Sequence, residues 1–208
     1  MTTYEPLYQA LESRGWAVCD DLAPVGLAPR LYDEGQVLWR AGRFRPAQVG
    51  RGSHRTRQRT LRGDAIFWLE PESTGPAGHE FLRWIDELKA ALNQTFFLGL
   101  NSAEFHFARY PAGTGYIRHV DQFRDSDARK VSITFYLNPA WPADAGGELR
   151  LYATETAPLP AMSVLPTQGR MAVFLSNRIA HDVQPAARPR WSLTGWLRTD
   201  VANAMDRR

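Results

Sequence analysis

Tyr110-Pro111-Ala112-Gly113-Thr114-Gly115-Tyr116-Ile117-Arg118-His119-Val120-Asp121 reads as the end of one strand, a turn built on Pro and Gly, and the start of another. It also sets His119 and Asp121 two residues apart. On an extended strand such residues share a face and lie roughly 6.6 Å apart along it. An imidazole and a carboxylate so placed can converge on one metal ion. Alone, His-x-Asp is a weak signal, and a second stretch gives it weight. His181-Asp182-Val183-Gln184-Pro185 supplies another imidazole, and Arg190-Trp191-Ser192-Leu193-Thr194-Gly195-Trp196 follows it. Two His and one carboxylate with positions left open is the ligand set of non-haem Fe(II) sites. A guanidinium nearby offers a two-pronged partner for a carboxylate.

Outward from this stretch, the half of the chain after Leu100 breaks into short strand-like runs separated by Gly, Pro and Asn: 103–110, 115–120, 131–137, 148–152, 161–165, 171–175, 181–183 and 190–198. That count and spacing predict a β-sandwich or barrel. Three of the runs alternate cleanly. Ile133, Phe135 and Leu137 share one face, and Ser132, Thr134 and Tyr136 the other. Trp191, Leu193 and Leu197 oppose Arg190, Ser192, Thr194 and Trp196. Phe105 and Phe107 oppose Glu104, His106 and Tyr110. The apolar faces are suited to packing under helices. The opposite faces carry hydroxyls, imidazoles and guanidinium with almost no Lys, which favours a ligand pocket over a solvated sheet face. His106 is expected to point inward as a hydrogen-bonded neighbour of the site. Asp182 is expected to face away from the metal.

The half before Leu100 is helical in texture. Residues 4–14 carry helical spacing and stop at Gly15; Trp16-Ala17-Val18-Cys19 reads as a strand, with Cys19 a small buried hydrophobe. Pro24 to Arg40 predicts a second helix, and Pro71 to Gly78 a loop. His79 to Leu98 predicts a long amphipathic helix presenting Phe81, Trp84, Ile85, Leu88, Leu92 and Phe96. Ala65 to Leu69 reads as a buried strand. Before it, residues 42–63 form a long polar loop with hairpin character. Eight Arg and no acid lie between Arg40 and Arg62, and the rest of the chain is net acidic although the whole carries +3. A loop of this length is usually functional or disordered.

The expected fold class is α+β, mainly β, in one domain over 1–208: a helical brace with the 42–63 loop in 1–100, and a β core in 101–200. A chain of 208 residues, 44% apolar, sustains one sizeable core. No apolar run reaches the length of a membrane span, the first residues show no signal-peptide pattern, and Cys19 is the only cysteine. These features predict a cytoplasmic protein without disulfides or membrane contact.

With these residues assembled, the chain resembles the 2-oxoglutarate- and Fe(II)-dependent prolyl 4-hydroxylases. The likeness is to the hypoxia-inducible-factor prolyl hydroxylase branch and its bacterial relatives. It rests on Leu61 to Leu69, Tyr110 to Asp121, Phe135-Tyr136-Leu137-Asn138, Gly146-Gly147-Glu148-Leu149-Arg150 and His181 to Trp196. The resemblance implies a double-stranded β-helix of the jelly-roll, cupin-like type. It implies His119, Asp121 and His181 as iron ligands, and Arg190 and Tyr136 as partners of the C5 carboxylate of 2-oxoglutarate. Tyr110, Thr194 and Trp196 correspond to residues lining the cosubstrate pocket. The turn at Tyr110 is one residue shorter than in the animal enzymes. Arg62 and Asp64 correspond to a turn at the root of a mobile loop that closes over substrate, with Arg55 and Arg57 on that loop and Tyr116 beside the substrate.

The cofactors so implied are Fe(II), 2-oxoglutarate and O2, with ascorbate as an auxiliary candidate. The implied partner is a proline-containing protein, elongation factor Tu being the preferred one, with the enzyme a monomer. Three other readings stand beside this one. A nucleic-acid demethylase of the same superfamily would suit the Arg-rich loop, but is expected to carry a second Arg where this chain has Trp196. A non-catalytic cupin-like binding protein would not need the full ligand set. A hydroxylase of free amino acids would not need the long loop.

Overall fold

The structure, a computed structural model, describes residues 4–47, 63–122 and 126–201. Helix α1 (Glu5–Arg14) buries Leu7 and Leu11 and ends where Gly15 takes a left-handed φ of 83° and donates its N–H to Leu11 O. Strand β1 (Trp16–Cys19) follows, then α2 (Leu27–Arg40), β2 (Arg45–Pro46), β3 (Ala65–Trp68) and α3 (Pro76–Phe96). The remaining strands are β4 (Ser102–Tyr110), β5 (Tyr116–His119), β6 (Arg129–Tyr136), β7 (Leu149–Tyr152), β8 (Met162–Val164), β9 (Met171–Leu175), β10 (Ala180–Val183) and β11 (Arg190–Arg198).

The strands form two antiparallel sheets, one of seven strands in the order β1-β9-β6-β11-β4-β3-β2 and one of four in the order β5-β10-β7-β8. Period-two alternation then builds the layers. The odd-parity residues of β4, β6 and β11 (Phe105, Phe107, Ile133, Phe135, Leu193, Leu197) join Leu7, Leu31, Phe81, Ile85 and Leu88 of the helices in one core. Fully burying a side chain of this kind stabilises by about 1.5–3 kcal/mol. On the reverse face of the large sheet, Ala108, Tyr110, Tyr136, Ala172 and Phe174 pack against Leu149, Leu151, Val164 and Val183 of the small sheet. Helices, large sheet and small sheet are thus stacked, and the space between the sheets is the double-stranded β-helix interior.

Several boundaries and burials differ from the sequence expectation. Helix α3 starts at Pro76 rather than His79. Gly75, Ala77 and Gly78 donate their N–H groups to the Glu34 carboxylate of α2 at 3.0–3.2 Å. The cap comes from 41 or more residues upstream, so no Ser, Thr, Asp or Asn is needed at the helix start. Helix α2 starts at Leu27 because Gly26 sits in the left-handed region at φ 74°. Strand β3 is only partly buried, Phe67 alone being fully covered, because its outer neighbour β2 is two residues long. Strand β5 ends at His119 rather than at residue 120, so Asp121 lies two residues past the strand end. Cys19 is partly rather than fully buried at the core's edge.

Candidate active site

The small sheet contributes His119 and His181, which face one another across the β5–β10 ladder. Between Val183↔Tyr116 and His181↔His119 the ladder takes two steps on β10 and three on β5, a bulge. The bulge turns Tyr116 to the side of His119, and their rings stack with centroids 3.8 Å apart. The two imidazole centroids lie 4.2 Å apart.

Each imidazole is fixed by the same local device. His119 Nδ1 lies 2.8 Å from Ile117 O, and His181 Nδ1 lies 3.1 Å from Ile179 O. A carbonyl only accepts, so both Nδ1 atoms carry a proton, which leaves Nε2 as the atom each ring can offer to a metal. Asp121 brings a carboxylate between them, with Oδ1 3.5 Å from His119 Nε2 and Oδ2 3.7 Å from His181 Nε2. One ligand atom from each of the three residues falls within 4.8 Å of the others. Burial, aided by His119, pushes His181 down to about 4, so it stays neutral near pH 7. Burial alone would raise Asp121, but His181, His119 and Arg129 outweigh it and hold the carboxyl well below its ordinary range. Two imidazoles held by their Nδ1–H groups and one carboxylate fit a divalent metal such as Fe(II).

Asp121 owes its position to β6. Ser132 Oγ donates to Asp121 Oδ2 at 2.7 Å, and Arg129 Nη1 reaches Asp121 O at 3.4 Å. Arg129 is itself held by Glu104, which accepts from Arg129 Nε and Nη2 at 3.0 and 2.9 Å and from Arg198 at 2.6 Å. The Arg129 guanidinium covers the Trp196 ring at 3.4 Å. None of Glu104, Arg129, Ser132 and Ser176 was singled out by motif. The one trace of Ser132 in the sequence is its parity with Thr134 and Tyr136.

The large sheet supplies the other wall. Arg190 is 3% exposed, lies 4.4 Å over the Tyr110 ring and 5.7 Å from the Tyr136 ring, and is paired with Tyr110 across β4–β11. Its Nε and Nη1, and Tyr136 Oη, are buried without a hydrogen-bond partner among the described residues. Burial raises the Tyr136 hydroxyl to about 12 against the pull of the Arg190 cation, so it remains a donor. A buried cation and phenol whose donors are unmet fit a carboxylate ligand such as one end of 2-oxoglutarate. Asn138 holds the strand that carries Arg190. It accepts from Trp191 N at 2.6 Å and donates to Trp191 O at 3.0 Å.

Thr194 and Trp196 lie on the same face of β11 as Arg190, with Thr194 Oγ1 3.2 Å from Ser192 Oγ. His106 points inward, 1% exposed, with its ring 5.7 Å from that of Trp196. Asp182 turns to the opposite side of the small sheet, where Arg150 and Tyr152 donate to it at 2.6–3.1 Å. Asp64 is buried beside the edge strand, its carbonyl accepting from Ala47 N. Gly63 N donates to Gly115 O, and a Cβ on Gly63 would fall 2.6 Å from Thr114, so the two backbones are closely fitted. Arg55, Arg57 and Arg62, and most of the 42–63 loop, lie outside the described residues.

Residues 105–198 match the 2OG-Fe(II) oxygenase superfamily. The chain is 31% identical over 204 residues to mouse prolyl hydroxylase EGLN3, covering 92% of this chain and 82% of the relative. It is 30% identical over 199 residues to human Egl nine homolog 1, covering 92% of this chain but only 46% of that protein's length. Among solved structures, a Pseudomonas putida prolyl-4-hydroxylase superposes with a TM-score of 0.82 at 37% identity, over 95% of this chain and all of the other. A Trichoplax adhaerens prolyl hydroxylase in complex with a hypoxia-inducible-factor peptide fragment superposes equally well at 26% identity, over 94% and 88% of the two chains.

Proposed function

The chain belongs to the prolyl hydroxylases of the 2OG-Fe(II) oxygenase superfamily, and on that premise we propose that it 4-hydroxylates a prolyl residue of a protein substrate. The observation that carries the reading is the pairing of two sites: the His119–Asp121–His181 cluster, and the buried Arg190–Tyr136 pair with unmet donors. In this reading the first binds Fe(II) and the second the C5 carboxylate of 2-oxoglutarate. Bound iron, cosubstrate and O2 supply the chemistry: 2-oxoglutarate is oxidatively decarboxylated to succinate and CO2, and one oxygen atom enters at C4 of the proline.

The chain's own residues orient and enclose. The Nδ1–H bonds of the two His hold their Nε2 atoms toward one point. Arg190 neutralises the distal carboxylate in a setting that Tyr110 and Tyr136 keep dry. Tyr116, stacked on His119, forms the wall that would meet the substrate, with Thr194 and Trp196 lining the cosubstrate side. Arg62 and Asp64 with Arg55 and Arg57 complete the substrate contacts in this proposal. The substrate put first is elongation factor Tu, from the resemblance to bacterial members of the branch, and residues 1–208 act as one catalytic domain. Among the described residues, no helix is long and apolar enough to cross a membrane.

The test is incubation with Fe(II), 2-oxoglutarate, ascorbate and purified elongation factor Tu, followed by peptide mass spectrometry. The expected result is a gain of one oxygen atom on a prolyl residue, coupled to succinate release and absent in His181→Ala. Succinate release without hydroxylation of this factor, but with hydroxylation of another proline-bearing polypeptide, would keep the activity and replace the substrate. Undiminished turnover in His181→Ala would overturn the iron assignment.

A further inference from the structure

We propose that Ser176 and Ser132 form a directed hydrogen-bond chain that positions Asp121 as a one-oxygen metal ligand; this rests on the iron assignment above. Ser132 Oγ lies 2.7 Å from Asp121 Oδ2 and 2.8 Å from Ser176 Oγ. Both serines are buried, at 2% and 0% exposure, so water does not compete for these bonds. The protons have one consistent arrangement. A carboxylate only accepts, so Ser132 must spend its single proton on Oδ2. Its contact with Ser176 must then be as acceptor, which makes Ser176 the donor. The order runs from Ser176 to Ser132 to Asp121.

Asp121 needs such a device because it lies beyond the end of β5. His119 and His181 are held by strand pairing and by the carbonyls of Ile117 and Ile179, two residues back. Asp121 has no strand ladder of its own. Ser176 serves it twice. Its hydroxyl orders Ser132, and its carbonyl accepts the N–H of Gln122, the residue after Asp121, at 3.1 Å. Ser176 is in turn clamped to β6, its N–H donating to Lys130 O at 3.0 Å. Oδ2, 3.7 Å from His181 Nε2, already gives one lone pair to Ser132, so the metal is assigned to Oδ1, on the His119 side at 3.5 Å. A carboxylate so pinned keeps one rotamer and binds through one atom. A one-atom ligand would leave more of a bound metal's positions to cosubstrate and O2. Ser132 and Ser176 are therefore positioning residues that act through Asp121.

Mn(II) titration of the full chain without 2-oxoglutarate, with free Mn(II) counted by EPR, tests this independently of turnover. Partners of metal ligands typically contribute 10–100-fold in metal affinity. Ser132→Ala should weaken Mn(II) binding by about that factor and alter the EPR line shape of the bound ion, because the carboxylate is freed to rotate or chelate. Ser132→Thr keeps the hydroxyl and should restore both. Ser176→Ala should weaken binding in the same direction by a smaller factor, since Ser132 can still donate. Thermal denaturation of the metal-free variants separates a loss of fold from a loss of site. Wild-type Mn(II) affinity in a folded Ser132→Ala protein would overturn the proposal. If Ser132→Ala does not fold, Ser176→Ala decides, and unchanged affinity there would overturn the directed chain. Should wild type and His181→Ala bind Mn(II) alike, the iron assignment itself fails. That result is distinct from tight, His181-dependent binding that ignores Ser132.

Discussion

At the residue scale, Arg190 is the group whose role is easiest to measure. It is a cation with 3% exposure and unmet donors beside a phenol that stays protonated. Leaving a buried charge without its partner costs about 3–5 kcal/mol. At about 1.4 kcal/mol per decade, Arg190→Ala should weaken 2-oxoglutarate binding by roughly two to three and a half decades, read by anaerobic calorimetry with Mn(II) in the site. Arg190→Lys should recover only part of this, because an ammonium lacks the planar fork. Tyr136→Phe removes one hydrogen bond to a charged group and should cost about 1–2 kcal/mol, roughly one decade. Unchanged affinity in Arg190→Ala would remove Arg190 from the cosubstrate site.

At the scale of elements, the joint between α2 and α3 is governed by Glu34. Three backbone N–H groups at the start of α3 end on its carboxylate. The fit is close: a Cβ on Gly75 would fall 2.7 Å from the Glu34 carboxyl carbon. Removing a helix cap typically costs about 0.5–2 kcal/mol. For a domain of this size each kcal/mol lowers Tm by about 2–4 °C. Glu34→Ala should therefore lower Tm by up to about 8 °C, with Glu34→Gln milder because its amide oxygen still accepts. The substitution lies on the helix side of the large sheet, away from the inter-sheet pocket. Mn(II) and 2-oxoglutarate affinities should stay at wild-type values. A fall in ligand affinity larger than the fall in stability would show that the helices tune the site and do not merely brace it.

On the scale of the whole molecule, the site is where the two sheets are tied together. His119 and His181 belong to the small sheet, while Ser132, Arg190 and Tyr136 belong to the large one. Ligands bound there should stabilise the native state by mass action. A metal at one hundred times its Kd adds about 2.7 kcal/mol, which at about 2–4 °C per kcal/mol raises Tm by roughly 5–11 °C. Adding a chelator should reverse the shift, and Asp121→Ala should abolish it, the variant being compared with and without metal because its own metal-free Tm falls when Ser132 loses its acceptor. A Tm indifferent to metal in the wild type would mean that the cluster does not bind one.

The sequence by itself determined the strands that carry the site and the faces they present. Residues 171–175 and 190–198 are strands with the predicted bounds, and Tyr136, Arg190, Thr194 and Trp196 share the interior face as alternation requires. Alternation is a period-two property of the covalent backbone, so it is written locally. The two His and one Asp are equally local, because metal affinity resides in the side-chain type. Tertiary structure alone decided what holds these groups still. Glu34 caps a helix 41 residues away, Ser132 reaches back 11 residues to Asp121, and Ser176 comes to Ser132 from 44 residues on. The bulge that stacks Tyr116 on His119 exists only because β5 and β10 are paired out of step. Such partners leave no periodic mark in the chain: a single hydroxyl or carboxylate acquires its role only when folding brings it within about 3 Å of its acceptor or donor.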